Sequence, residues 1–219
     1  MLEIRHRKSH VVLLQVDADS LAGRKMSGAK LHGADLAGLD LSGVDLINSD
    51  LREADLQGAN LEGALLNGAL LDGANLMHAN LCGANLTDAH LQHAVLVDAK
   101  LSHANLRYAQ MHDAILCEAD LSDADLSMAD LRGDLRDAKL VHADLRAADL
   151  TSANLRGANL QEADLTGAKL GSAQLAGANL SNMIDVRGHR VTQQTAPQKA
   201  RRREKEKLVR PWWRFWARA

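Results

Sequence analysis

From Leu31 onward an apolar residue returns at every fifth position: Leu36, Leu41, Leu46, Leu51 and so on to Leu131, then, after one slip, from Leu135 to Leu180. Thirty of these 31 centres are Leu and the other is Met111, a regularity far stricter than an irregular core would impose. Ala stands two residues before the centre in 27 of the 31 units; the departures are Leu39, Val44, Ser49 and Gly133. Between Ala and Leu the residue is mostly Asp or Asn, as at Asp35, Asn60, Asn85 and Asp125, and many units close on Gly, as at Gly58, Gly73 and Gly83. A period of five fits neither a helix, which repeats at 3.6, nor a strand, which repeats at 2. Each unit must therefore turn a corner. Ala and Leu, two apart on a short extended segment, point the same way, and the Asp or Asn between them points out. The last two residues carry the turn. Alternating small and large side chains suit a narrow interior filled in layers, and stacked neighbours bury one continuous core.

The A-(D/N)-L-x-x units resemble the pentapeptide-repeat family over residues 29–182. That resemblance implies an all-β chain: a right-handed parallel β-helix solenoid with four units per coil and 7–8 four-sided coils. Residues twenty apart would then stack on one face, and the body would measure on the order of 35–40 Å at about 4.8 Å per coil. The regular Leu, Ala and Asp/Asn positions are read as structural.

Three segments follow. Residues 1–28 form an N-terminal cap and first irregular turn, in which 11–16 (Val-Val-Leu-Leu-Gln-Val) is a strand covering the first coil. Leu21 and Met26 already keep the five-residue phase. Residues 29–182 are the β-helix, and 183–219 are a linker and a basic Trp-rich tail, partly helical or disordered. At Leu131-Arg132-Gly133-Asp134-Leu135 one residue is missing. The unbroken phase on each side predicts a tightened corner there, with a kink or changed face.

Only five residues are aromatic, and four of them are Trp212, Trp213, Phe215 and Trp216. The core must therefore be aliphatic. The net charge of −2 hides an asymmetry, because residues 187–219 carry eleven Lys/Arg against Glu204 and Glu206. An acidic body and a basic tail have different partners. Cys82 and Cys117 read as free thiols in a reducing compartment. The apolar run Val11–Leu14 is too short for a signal-peptide core, so the cytoplasm is the expected location.

No motif supports catalysis. There is no CxxC, no phosphate-cradling Gly loop and no Ser–His pairing in motif context, so the chain is read as a non-enzyme needing no cofactor. Four features bear on function. Met77, Val97 and Cys117 lie twenty apart, Val95 and Ile115 take the usual Asp/Asn position beside them, and Leu65 and Leu70 do so nearby. Together these seven make a candidate protein-binding patch. His78, His90, His93, His103 and His112 cluster within 35 residues; His90, His93 and His112 would share one face, yet ligand spacing is absent and they read as solvated corners, with no metal expected. The outward Asp residues spread over every face. Acidic rods of this family include quinolone-resistance proteins that mimic duplex DNA and bind DNA gyrase. A DNA-mimicking regulator of gyrase or a related topoisomerase is therefore the alternative to a scaffold with an unnamed protein partner. That subgroup's Phe centres and dimerising C-terminal helix are missing. Finally, Arg201, Arg202, Arg203, Trp212, Trp213, Arg214, Phe215 and Trp216 suit a C-terminal cap, a homodimer contact, or a peripheral contact at the inner membrane face. Direct nucleic-acid binding is the disfavoured use of the same groups.

Overall fold

In the computed structural model, residues 1–17 and 19–191 are described. Each repeat unit places one residue, the one before the central Leu, in a parallel ladder running from Lys25 to Ile184. Asp55 illustrates the bond pattern: its N–H donates to Ala34 O at 2.8 Å, and its C=O accepts from Leu36 N at 2.8 Å. Partners are twenty residues apart, so four units make one coil and four columns run along the body. The first face carries Asp45, Leu65, Asn85, Asn105 and Asp125; the second Asp50, Leu70, His90, Gln110 and Asp130. The third carries Asp35, Asp55, Asn75, Val95, Ile115 and Asp134; the fourth Asp40, Asn60, Asn80, Lys100 and Asp120.

The interior is the stacked Leu and Ala positions, with Leu36 through Leu160 and the intervening alanines almost wholly buried. Burying one Leu side chain contributes about 1.5–3 kcal/mol, so the columns supply most of the favourable free energy. Ser49, at an Ala position, is equally buried, and its hydroxyl donates to Leu46 O at 2.7 Å. A buried hydroxyl without that acceptor would destabilise the layer.

Corners explain the rest of the unit. The last residue of the turn donates back to the centre, as Ala54 N does to Leu51 O at 3.0 Å, and Glu53, the third of the four residues, has φ +55°. Positive φ at the third residue of such a turn marks type II and favours Gly or Asn. The Asp or Asn before the centre fixes the same corner, since Asp40 Oδ1 accepts Ser42 N at 3.1 Å and Asp164 Oδ1 accepts Thr166 N at 2.9 Å. These side chains point out, and they also close the turn.

At the slip, Gly133 N donates to Leu131 O at 2.8 Å, so a three-residue γ-turn centred on Arg132 replaces the usual four-residue corner. The ladder offset drops to nineteen from Ile115–Asp134 through Asp130–Asp149, then returns to twenty. The faces therefore stay aligned, and the expected change of face does not occur. Gly133 takes an Ala position because a Cβ there would lie 2.5 Å from Ala114 O.

The ends are closed by backbone pairing. Strands β1 (Leu2–Arg5) and β2 (Val12–Val16) form an antiparallel hairpin with an irregularity between Ile4 and Arg5. The strand reading of 11–16 holds for β2, but the first coil is met by the β1 end: Asp35 N donates to Arg5 O and Arg7 N to Gly33 O, both at 2.8 Å. Ile4 is buried while Val12 is exposed, so β1 is the covering strand and β2 its outer partner. At the other end the chain folds back. Asn182 N donates to Val191 O at 2.9 Å and Val191 N to Met183 O at 2.7 Å, around a turn in which buried Asp185 accepts the Arg187 and His189 amides. Residues 186–191 thus belong to a cap, where the sequence suggested the start of a linker. The expected helical or disordered tail lies outside the described residues. Among the described residues no helix is long and apolar enough to cross a membrane.

The γ-turn yields a prediction. Gly133→Ala forces a Cβ against backbone and should cost about 1–3 kcal/mol in urea unfolding. Gly133→Ala matching wild type would mean the corner is loose.

Candidate functional site

The outward strand positions are not uniform along the body. From Asn60 to Ile115, twelve consecutive ladder positions hold no carboxylate: five are Asn, four are aliphatic, and the others are His90, Lys100 and Gln110. Asp occupies every such position from Asp35 to Asp55 and again from Asp120 to Asp134. The strand faces of three consecutive coils thus form a neutral belt between acidic ends. Carboxylates in the belt sit on its corners, as Glu62, Asp72, Asp88, Asp98, Asp113 and Glu118. The outward Asp residues do occur on every face, as the sequence reading has it, but they are sorted along the axis.

The structure divides the seven-residue apolar patch. Val95 and Ile115 are direct ladder partners on the third face. Met77, Val97 and Cys117 follow on the adjoining corner, one coil apart, with Asp98 N donating to Cys117 O at 3.0 Å. These five are contiguous, half-buried or exposed, and Ile115 is 39% exposed. Leu65 lies on the opposite first face, between Asp45 and Asn85, and Leu70 on the second, between Asp50 and His90. A four-sided coil separates what linear proximity groups together, so these two leave the patch.

The patch has polar borders along the axis. Above it, Asn75 Nδ2 donates to Asp55 Oδ1 at 3.0 Å. Below it, Arg136 Nε donates to Asp134 Oδ1 at 3.0 Å, and its Nη2 reaches Cys117 Sγ at 3.5 Å. Burial, aided by the Asp134 charge, pushes the Cys117 thiol up, so it is a packing group and a poor thiolate nucleophile.

Sequence reasoning missed one pair. Tyr108 and Met128 stack at the corner between the first and second faces, both exposed and both in the left-handed region at φ +59° and +60°. Arg107 lies 5.5 Å from the Tyr108 ring centroid. Large side chains seldom adopt positive φ, and the twenty-residue spacing at a usual Gly, Asn or Asp position was the available signal.

Arginine two residues after Asp forms a recurrent pair. Arg52, Arg132 and Arg146 each donate two bonds to the Asp50, Asp130 and Asp144 carboxylates. The Arg hydrogen bonds hold all three Asp below the ordinary carboxylate range. The histidines regroup. His90 accompanies Gln110, 3.4 Å from its Nε2, whereas donor atoms of His93, His112 and Asp113 all lie within 4.8 Å of one another. The tail residues Arg201, Arg202, Arg203, Trp212, Trp213, Arg214, Phe215 and Trp216 lie outside the described residues.

A family model described as pentapeptide repeats matches the chain in eight copies, over residues 25–63, 59–96, 94–133, 134–167 and 143–182. Two of these matches meet at 133/134, where the slip lies. Similar solved structures include HetL, a pentapeptide repeat protein involved in heterocyst differentiation regulation from the cyanobacterium Nostoc sp. strain PCC 7120. It is 31% identical over 78% of this chain and 92% of that one, with a TM-score of 0.38. QnrB1, a plasmid-mediated fluoroquinolone resistance protein, is 20% identical over 79% and 87%, with a TM-score of 0.44. The pentapeptide repeat protein Rfr23 from the cyanobacterium Cyanothece 51142 is 35% identical over 42% and 61%, with a TM-score of 0.31. No curated protein matches the chain.

The Asp–Arg pairs give a pH prediction. A carboxylate held below the ordinary 3.8 in the folded chain stabilises it above that pH, and the contribution is lost as pH falls through the folded value. These pairs therefore leave stability level from pH 7 to about 5 and weaken it below about 4. Replacing Asp50, Asp130 and Asp144 by Asn should make the acid fall in urea midpoint shallower. An unchanged acid limb would exclude these pairs as its source.

Proposed function

The chain belongs to the pentapeptide-repeat family and has its right-handed β-helix fold, and on that premise we propose that it is a non-catalytic scaffold binding a protein partner through the neutral belt. The carrying observation is the run of twelve outward strand positions without a carboxylate, with the Met77, Val95, Val97, Ile115 and Cys117 cluster on one face. The third-face stretch Asn75, Val95 and Ile115 offers aliphatic groups with no charged strand residue to desolvate, which suits a partner of similar surface. Its interior is spent on stacking, and Cys117 is held in the thiol form.

A DNA-mimicking regulator of gyrase is the other reading. It draws on the acidic end coils, where Asp35 to Asp55 and Asp120 to Asp134 line the faces. The phosphates of a duplex continue without interruption, whereas here three coils interrupt the carboxylate series on the strand faces. We favour the scaffold for that reason. The basic, Trp-ended tail adds a second contact in this proposal, at the inner face of the cytoplasmic membrane.

Two measurements test these statements. Val95→Lys with Ile115→Lys puts two charges on the belt and should lower affinity for a captured partner at least about tenfold while the fold is kept; equal capture would remove the belt from the account. If the full chain protects or inhibits gyrase at micromolar concentration in a supercoiling assay, the mimic reading replaces the scaffold. For the tail, the full chain should co-sediment with anionic liposomes and a chain ending at Pro197 should not. Equal, weak sedimentation of both would exclude anchoring.

A further inference from the structure

Two departures from the repeat coincide at one corner, the one between the second and third faces. His93 occupies it on one coil, and His112 and Asp113 occupy it on the next. The coil after that is the shortened one, where Arg132 alone makes the turn. Asp113 N donates to Arg132 O at 2.9 Å, so the His–His–Asp group sits directly against the γ-turn. Because that turn lacks one residue, no corner side chain stacks beneath Asp113.

We propose that His93, His112 and Asp113 form a binding site for a borderline divalent cation of the Zn²⁺ type, clipping two coils together beside the shortened corner. Their donor atoms lie within 4.8 Å of one another. His93 Nδ1 is 3.9 Å from Asp113 Oδ2, and the two imidazoles meet edge to face with centroids 5.9 Å apart. Tetrahedral Zn²⁺ with bonds near 2.0–2.1 Å spaces its donors about 3.3 Å apart. The His93 and Asp113 side chains are 66% and 68% exposed, so they have room to rotate toward that spacing. Two imidazoles and one carboxylate favour Zn²⁺ and its neighbours over Mg²⁺ or Ca²⁺.

The surroundings support the assignment. Asp130 Oδ2 lies 3.6 Å from His112 Nδ1, so a small turn of the ring would let it accept that N–H when the ring offers Nε2 to the ion. Such an outer carboxylate orients a metal-binding imidazole and raises its basicity. Arg132, on the next coil of the same corner, is held on Asp130, to which its Nε donates at 2.7 Å. His93 and Asp113 are exposed, so water could complete the coordination.

The test titrates Zn²⁺ into the metal-stripped full chain against a chromophoric chelator. Wild type should show one saturable equivalent. His93→Ala and His112→Ala should each lose it or weaken it at least about tenfold, and Asp130→Asn should weaken it about tenfold. His78→Ala, on another corner and paired with Asp98 at 3.0 Å, should titrate as wild type. His93→Ala, His112→Ala and His78→Ala should share the wild-type unfolding midpoint without metal, whereas Asp130→Asn also loses its Arg132 pair and is read on the titration alone. The absence of a saturable site, or wild-type titration by both His93→Ala and His112→Ala, would overturn the proposal.

Discussion

Everything in this molecule depends on the backbone exchange between successive coils. One residue per unit both donates to and accepts from the coil before it, as Asp55 does with Ala34 and Leu36, while its neighbours Ala54 and Leu56 bond Asn75 on the coil after. That exchange holds only if every coil closes after the same path, which demands a corner every five residues. The corner demands positive φ, and Asp or Asn before the centre satisfies the first amide of the turn. Leu and Ala then fill the space that four such corners enclose. Interior, corner and ladder are three statements of one geometric condition.

The slip shows how that condition accommodates a deletion. Losing one residue from a strand would turn its side chains inside out. Here the loss is confined to a corner, where a γ-turn replaces a β-turn and Gly133 removes the one Cβ that would strike Ala114 O. The offset returns to twenty within one coil. Faces therefore remain continuous along the body, and a surface feature on one coil keeps its neighbours. The central claim is this alignment, since both the belt and the His–His–Asp corner are defined by which residues stack.

Much of the fold was legible because the repeat is its own alignment. Leu36 and Leu160 occupy the same environment, and so do Asp40 and Asp164. Legibility failed where pairing is not periodic. Strand β1 has two apolar residues, Leu2 and Ile4, amid charge, and nothing local says that Arg5 meets Asp35. The return of Val191 to Met183 is likewise a contact between irregular segments. The candidate site was half legible. The twenty-residue spacing found Met77, Val97 and Cys117, but Leu65 was grouped with them by linear distance and lies across the coil. The belt itself is a run of twelve consecutive pre-centre positions that can be read along the sequence without assigning faces. Asp113 was missed as the companion of His93 because the two meet through adjacent coils rather than through a short spacing.

Alignment across the slip can be read by pairwise disulfide formation. With Cys82 and Cys117 replaced by Ser, cysteines at 115 and 134 should crosslink on oxidation as readily as cysteines at 95 and 115, since parallel ladder partners lie within disulfide reach. Cysteines at 115 and 135 should not, because Leu135 points inward. Crosslinking at 115/135 with none at 115/134 would show that the slip shifts the face, and the stacked surfaces described here would no longer stand.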